Sequence, residues 1–90
     1  MNNLSKERKE ELQYIADIYT SIILKNYIDI IKSKGNEESI SRKHADIIEK
    51  EVCDTYYKDG YDKETSKKFA SYVREISYYK LLDIINKKEI

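Results

Sequence analysis

The apolar residues of this 90-residue chain recur at helical spacing along three stretches, which are separated by its only two glycines, Gly35 and Gly60. The chain contains no proline. Because helix interiors disfavour glycine and proline most strongly, long stretches without them favour helix. The pattern therefore predicts an all-α protein, a three-helix bundle forming one domain over residues 1–90, with helices over about 4–33, 39–57 and 62–87.

Residues that commonly cap helices lie at the predicted helix ends. Gly35 follows the first helix at the position where a left-handed cap is needed. Either Ser39 or Ser41 is expected to cap the second helix. Asp62 is a good N-cap for the third helix, with Glu64 in its first turn. Both connections are short, so neighbouring helices are expected to run antiparallel.

The apolar face of the first helix changes direction near Ser21. A set of apolar residues before this point occupies one sector of the helix, and a later set occupies a sector rotated by roughly a quarter turn. The earlier set is Leu12, Ile15, Ala16, Tyr19, Ile22 and Ile23, and the later set is Leu24, Tyr27, Ile28, Ile30 and Ile31. Either the helix bends near Ser21 so that a monomer buries both sets, or a second chain covers one of them.

The length of the predicted first helix favours the second chain. A straight helix of about 30 residues extends roughly 45 Å, which exceeds the width of a compact domain of this size. Exposed isoleucine costs about 25 cal/mol per Å² of apolar surface. We therefore expect a homodimer, or an obligate docking partner, packed against Ile23, Leu24, Tyr27, Ile28 and Ile31.

Charge and cysteine content narrow the classes of function. The 17 basic and 17 acidic residues give a net charge of zero, so the chain has no overall field that would attract nucleic acid or an anionic membrane. The single cysteine, Cys53, cannot form an internal disulfide, and the N-terminus lacks the apolar core of a secretory signal. The longest aliphatic run, residues 22–24, is far too short to span a membrane. We expect a soluble protein of the cytoplasm of a bacterial or host cell.

The only histidine, His44, lies with Glu51 on the apolar arc of the second helix. About two helical turns separate them, which is too far for an easy direct bond. They form either an acid–base pair or pH-sensitive latch, or they reach the helix edge and bond to a tyrosine or lysine of another helix. One histidine and one cysteine cannot make a structural zinc site, and the widely separated glycines cannot form a phosphate loop. We therefore expect no enzymatic activity, no metal and no cofactor.

Tyrosine is the one over-represented residue with interaction chemistry, at nine copies. Three tyrosines near the second connection lie on the packing stripe and are expected in the core: Tyr56, Tyr72 and Tyr79. Three others lie off that stripe: Tyr57, Tyr61 and Tyr78. Tyrosines off the stripe supply the stiff contact area that protein interfaces use, although ordinary surface tyrosine is the alternative interpretation.

The second helix is acidic on its polar side, because residues 35–60 carry 4 basic and 7 acidic side chains. Such a helix could occupy a basic groove of a nucleic-acid-handling enzyme. Small phage and plasmid proteins that inhibit host defence enzymes, including anti-CRISPR proteins, are similar in size and composition, although no motif is shared. We expect a non-enzymatic protein-binding regulator or stoichiometric inhibitor. The expected contact residues are Asp46, Glu49, Asp54, Tyr57, Asp59, Tyr61 and Tyr78.

The alternative is a nucleic-acid-binding transcriptional regulator that uses the third helix. Tyrosine with lysine can stack bases and hold phosphates, and this helix is mildly basic. Its cations are Lys63, Lys67, Lys68, Arg74, Lys80, Lys87 and Lys88. Carboxylates are interspersed among them and the net charge of the chain is zero, which weakens this alternative.

Overall fold

A computed structural model describes residues 4–25 and 35–87, and within these residues it contains three α-helices and no strand. We name them α1 (Lys6–Leu24), α2 (Glu37–Lys58) and α3 (Lys63–Lys87). None of these helices is long and apolar enough to cross a membrane. α3 packs extensively against α2 and also against α1. The predicted all-α, three-helix bundle is therefore confirmed for the described residues.

α1 begins close to the predicted position but ends earlier. The Ser5 hydroxyl accepts a hydrogen bond from the backbone N–H of Arg8 at 3.0 Å and caps the first turn. At the other end, the N–H of Lys25 bonds to the Ile22 carbonyl at 3.2 Å, the tighter pattern that closes a helix. The prediction of one unbroken helix to Ser33 is therefore wrong. The helix ends at Leu24 rather than bending near Ser21.

The predicted dimer contact comprises five residues. Residues 26–34 lie outside the described residues, and with them Tyr27, Ile28 and Ile31. Ile23 and Leu24, the other two members of that set, lie in the last turn of α1.

α2 begins two residues before the predicted position. Its N-cap residue is Asn36, whose side chain makes no capping bond. Gly35 has φ +90°, in the left-handed region, and its N–H donates to the Glu37 carboxylate at 2.9 Å. The expectation that Ser39 or Ser41 caps this helix is wrong, since both lie inside α2 and Ser41 is fully buried. Acidic residues in the first turn instead compensate the positive end of the helix.

α2 ends in a Schellman motif at Gly60. The Gly60 N–H donates to the Tyr57 carbonyl at 3.1 Å, and the Tyr61 N–H donates to the Tyr56 carbonyl at 3.2 Å. Gly60 has φ +108°, which a side chain would strain. The rings of Tyr56 and Tyr61 make the apolar contact that commonly accompanies this motif, with centroids 5.4 Å apart.

α3 is capped by Asp62, as the sequence predicts. The Asp62 carboxylate accepts a hydrogen bond from the Thr65 backbone N–H at 2.7 Å. Bonding to Thr65 holds the pKa of Asp62 below its usual value. The negative charge also lies at the positive end of α3.

The core contains residues from all three helices. Its main cluster is Leu12, Ala16, Ile48, Val52, Tyr56, Phe69, Ala70 and Val73. Several small residues at the helix contacts are fully buried, namely Ala16, Ser41, Ala45, Ser66, Ala70 and Ser77. Small side chains let helix axes approach closely, so the larger neighbours can interdigitate. Buried Thr20 donates its hydroxyl to the Ala16 carbonyl at 2.9 Å.

Candidate functional site

Arg8 joins the start of α1 to the connection between α2 and α3. Its guanidinium carbon lies 4.6 Å from the centre of the Phe69 ring and 5.4 Å from that of Tyr61. The guanidinium donates to the Glu11 carboxylate at 3.0 Å and to the Tyr61 hydroxyl at 3.0 Å. The bond to Tyr61 is the largest of the causes that raise the pKa of Arg8. These contacts hold α1 onto the other two helices.

The rings around Arg8 pack edge to face. The Tyr56 and Phe69 centroids are 4.9 Å apart, and those of Tyr61 and Phe69 are 5.4 Å apart. The Tyr56 hydroxyl donates to the Glu11 carboxylate at 2.5 Å, and burial followed by this bond raises the pKa of Tyr56 to about 12. We call the five residues Arg8, Glu11, Tyr56, Tyr61 and Phe69 the aromatic corner.

The aromatic corner changes the interpretation of one predicted contact residue. Tyr61 bonds within the corner, so its ring and hydroxyl serve the fold. Sequence reasoning missed Arg8 and Glu11 as members of this cluster. A signal was present for Arg8, which lies four residues before buried Leu12 and so shares its face of α1.

A groove of about 400 Å³ lies between α2 and α3. We call it the α2–α3 groove. It is lined by Asp46, Glu49, Lys50, Cys53 and Asp54 of α2 and by Lys67, Ala70 and Ser71 of α3. Ala70 is fully buried, so it forms part of the base of the groove. The structure thus brings together three predicted contact residues, Asp46, Glu49 and Asp54.

Cations of the same two helices balance the acidic side of the α2–α3 groove. Arg74 Nε donates to Asp46 Oδ1 at 2.8 Å and lies 3.6 Å from Glu49 Oε1. Lys50 Nζ lies 3.6 Å from Asp54 Oδ2. The bond to Asp46 is the largest of the causes that raise the pKa of Arg74. The groove therefore presents interspersed positive and negative charges, whereas the sequence suggested an acidic surface.

Two further predicted contact residues lie near this groove. Tyr57 is 59% exposed and lies one turn beyond Cys53 on α2. Tyr78 is half-buried and lines a neighbouring depression of about 240 Å³. Arg74, which pairs with Asp46 of the groove, also lines this depression. Asp59 is exposed at the C-cap of α2, outside the groove.

The position of Tyr79 corrects the prediction that it lies in the core. Its side chain is 60% exposed, and its ring contacts that of Tyr78 with centroids 5.1 Å apart. The buried residues in this half of α3 recur every four positions, at Val73, Ser77, Leu81 and Ile85. Tyr79 lies about 200° around the helix from Ser77, so it points away from the core.

His44 and Glu51, both on α2, differ in how much of each is buried. His44 is half-buried and Glu51 is exposed. Burial, followed by the charge and bonding of Glu51, raises the pKa of the Tyr19 hydroxyl on α1. Glu51 therefore lies at the helix edge and faces a tyrosine of another helix, as the second interpretation expects. Within the described residues, no group of three or more ligating side chains is placed to hold a metal ion.

The exposed apolar residues of α1 differ from those predicted to pack a dimer. Ile23 packs against the core and Leu24 is half-buried. The exposed residues are Tyr14 at 66%, Ile18 at 42% and Ile22 at 55%, which we call the α1 stripe. The earlier apolar set on the helical wheel contains Ile22, but this residue lies at the edge of that arc and faces outwards.

Comparisons with protein-family models, with curated proteins and with solved structures found no match.

Proposed function

We propose that this protein is a non-enzymatic regulator or stoichiometric inhibitor that binds a larger protein through the α2–α3 groove and the adjacent Tyr57. The observation that carries the proposal is the groove itself, about 400 Å³ in volume and containing three of the expected contact residues. Grooves that combine an apolar base with a few placed polar groups are common binding sites.

Tyr57 supplies the aromatic anchor in this proposal. Its side chain is largely exposed, and it is three residues from Asp54 on the same helix. Tyrosine offers a large, stiff contact area that loses little conformational entropy on binding, which is why it is enriched at interface hot spots. Tyr61, by contrast, already has intramolecular contacts and is not part of the proposed surface.

The charges of the groove favour a partner segment of mixed charge. A purely basic partner would have to compete with Arg74 for Asp46 and Glu49. Asp54 pairs with Lys50 only at 3.6 Å, and both side chains are largely exposed, so this pair is the more easily exchanged one. A segment with a cation facing Asp54 and a carboxylate facing Lys67 would therefore meet an opposite charge on each side. Complementary charges of this kind set register and specificity more than affinity.

Nucleic-acid binding through α3 is the second candidate, and intramolecular ion pairs weaken it. Arg74 pairs with Asp46, Lys80 with Asp17, and Lys87 with Asp83. Each pair reduces the charge available to neutralise a phosphate, on which non-specific affinity depends. A gel shift at low salt with DNA and RNA, abolished when Lys63, Lys67 and Lys68 are replaced by glutamate, would favour this candidate.

Affinity capture from cells that naturally express the protein tests the proposal. The double variant Asp54→Lys, Tyr57→Ala alters the groove side, and Asp83→Lys is a charge-matched control at an exposed residue of α3. In nuclease-treated lysate, we expect wild type and control to retain a protein stoichiometrically and the groove variant to lose it. Equal retention by all three, or no retained protein, would contradict the proposal.

The same proposal includes self-association through α1. Three large apolar side chains of the α1 stripe are exposed, and exposed apolar clusters often mark contact surfaces. The lining of the α2–α3 groove comes from α2 and α3, so pairing through α1 would leave the groove of each copy available to a partner.

A further inference from the structure

We infer that two copies of this chain pair antiparallel along α1, with the twofold axis passing beside Ile18. The inference rests on the self-association proposed above and specifies its geometry. It uses the α1 stripe together with two charged residues at its ends, Glu11 and Lys25.

The α1 stripe points away from the core of its own copy. Its residues are spaced by four, so neighbouring side chains are about 40° apart around the helix and together cover about 80°. The fully buried residues Leu12, Ala16 and Thr20 belong to the opposite side of α1. Among the described residues, the stripe is therefore a largely exposed apolar surface on the side of α1 that faces away from the main core cluster.

The spacing of the stripe is symmetric about Ile18. Tyr14 precedes Ile18 by four residues and Ile22 follows it by four. When a second α1 lies antiparallel across this point, Ile18 faces its own equivalent, and Tyr14 of each copy faces Ile22 of the other. Such a contact is isologous, the arrangement required for a closed twofold dimer.

The charges at the ends of the stripe favour the antiparallel direction. Glu11 and Lys25 are both exposed, and each is seven residues from Ile18. The Glu11 carboxylate also bonds to Arg8 and Tyr56 of its own copy, but its side chain keeps 47% of its surface exposed, so a second cation can reach it. An antiparallel pair places Glu11 of each copy near Lys25 of the other, so opposite charges meet at both ends. A parallel pair would place like charges together, which is unfavourable. This complementarity, with the symmetric spacing of the stripe, favours a second copy as its occupant.

The expected contact is small. From Glu11 to Lys25 the helix rises by about 21 Å, and a contact along one helix buries less than the roughly 1,200 Å² of a standard interface. We therefore expect a dimer that forms at high concentration and dissociates on dilution.

Sedimentation velocity over about a 100-fold range of concentration tests the dimer by mass action. We expect wild type to shift from monomer to dimer across this range, and Ile18→Glu to stay monomeric because two carboxylates would meet at the axis. Ile47→Glu is the matched control, since Ile47 is 47% exposed on α2 and should not affect the dimer. Circular dichroism of each variant checks that helicity is retained.

Disulfide trapping tests the direction of pairing. Tyr14→Cys and Ile22→Cys are made separately in a Cys53→Ser background and then mixed under mild oxidation. Antiparallel pairing predicts a cross-linked species containing one chain of each variant. Parallel pairing would link each variant to itself, and a predominance of those products would overturn the inference.

Each outcome of the sedimentation experiment has a distinct meaning. A wild type that remains monomeric overturns both self-association and this geometry, while groove binding is tested independently by capture. An Ile18→Glu variant that dimerises like wild type overturns this interface alone. If wild type is monomeric and Ile18→Glu loses a captured protein, the stripe binds a different chain and the second-copy inference is wrong.

Discussion

The aromatic corner and the α2–α3 groove contain similar residue types and use them differently. Tyr57 and Tyr61 are only four residues apart, on either side of Gly60. Tyr61 contacts Arg8, Tyr56 and Phe69, whereas the Tyr57 side chain is largely exposed. An aromatic residue near a turn therefore becomes structural when a distant element supplies its partners. Where no distant element contacts the aromatic residue, its ring stays exposed and available for binding.

The charges of the two regions differ in the same way. In the corner, one Arg8 guanidinium is shared among a carboxylate and three rings, and it connects separate helices. In the groove, ion pairs lie at the surface, where each contributes about 0–1 kcal/mol to stability. We therefore expect substitutions in the corner to change folding stability and substitutions in the groove to change binding.

The largest difference is expected from Phe69→Ala. Phe69 is 7% exposed and belongs to both the corner and the core, so truncation leaves a cavity. We expect a loss of about 3–5 kcal/mol in the free energy of unfolding, measured by urea titration. Tyr57→Ala is the comparison, with an expected change within about 0.5 kcal/mol. Similar losses for the two variants would remove the distinction between the regions.

Arg8→Ala is expected to cost about 1–2 kcal/mol, because it removes the ring contacts and the bonds to Glu11 and Tyr61. Lys9→Ala, at an exposed neighbouring position, is the control and should have little effect. Thermal and urea unfolding of both variants provide the measurement. If Arg8→Ala unfolds like the control, Arg8 does not hold α1 to the corner.

Tyr56 is expected to make stability depend on alkaline pH. Its pKa is raised to about 12 in the folded chain from an ordinary value of 10.0. The stabilising contribution of the protonated hydroxyl is therefore fully present below about pH 10 and is lost as pH rises through about 12. Tyr56→Phe removes the bond to Glu11, should cost about 1 kcal/mol at neutral pH, and should lose less further stability at alkaline pH.

Urea titrations of wild type and Tyr56→Phe at neutral and alkaline pH check this prediction. The quantity compared is the difference in free energy of unfolding between the two proteins, because effects of alkaline pH that both share then cancel. An equal alkaline loss in wild type and variant would show that Tyr56 does not contribute to the dependence.

The smallest effect on stability is expected from the groove variant Asp54→Lys, Tyr57→Ala. Both residues are exposed, so the free energy of unfolding should change by no more than about 0.5 kcal/mol. The same variant is expected to lose the captured partner. A large loss of stability would mean that this surface supports the fold, and the binding result could then not be assigned to contact.

Several features of the fold were predictable because they depend on neighbouring residues. The Asp62 carboxylate caps α3 by accepting a hydrogen bond from the backbone N–H three residues later. Such short-range pairs can be found in sequence. Gly60 has positive φ and ends α2, as expected for a glycine after a helix. Gly35 also has positive φ, but α1 ends at Leu24, so the prediction that Gly35 caps α1 is wrong. Ser39 and Ser41 failed as predicted caps because α2 begins earlier, at Glu37, directly after the left-handed Gly35 whose N–H bonds to the Glu37 carboxylate.

The candidate site was predictable only in part. Asp46, Glu49 and Asp54 share the polar side of α2, so their proximity followed from helical spacing. Their pairing with cations did not, because Arg74 comes from another helix, 28 residues from Asp46. Ile22 was misplaced because it lies at the edge of its apolar arc, where a small rotation of the helix decides between core and solvent. Tyr79 was misplaced because the buried positions of α3 continue from Val73 through Ser77 to Leu81, which turns the buried face away from Tyr79.

The sequence by itself determined that the described chain is helical, where the connection between α2 and α3 lies, and which broad arc of each helix is apolar. These properties arise from backbone preferences and from the 3.6-residue period, both of which act over a few residues. The tertiary structure alone decided that Arg8 reaches the rings of the corner, that Tyr61 is structural while Tyr57 is exposed, and that the free apolar surface of α1 is Tyr14, Ile18 and Ile22. Those outcomes depend on the rotation and spacing of helices distant in sequence, which only the packing of all three against one another determines.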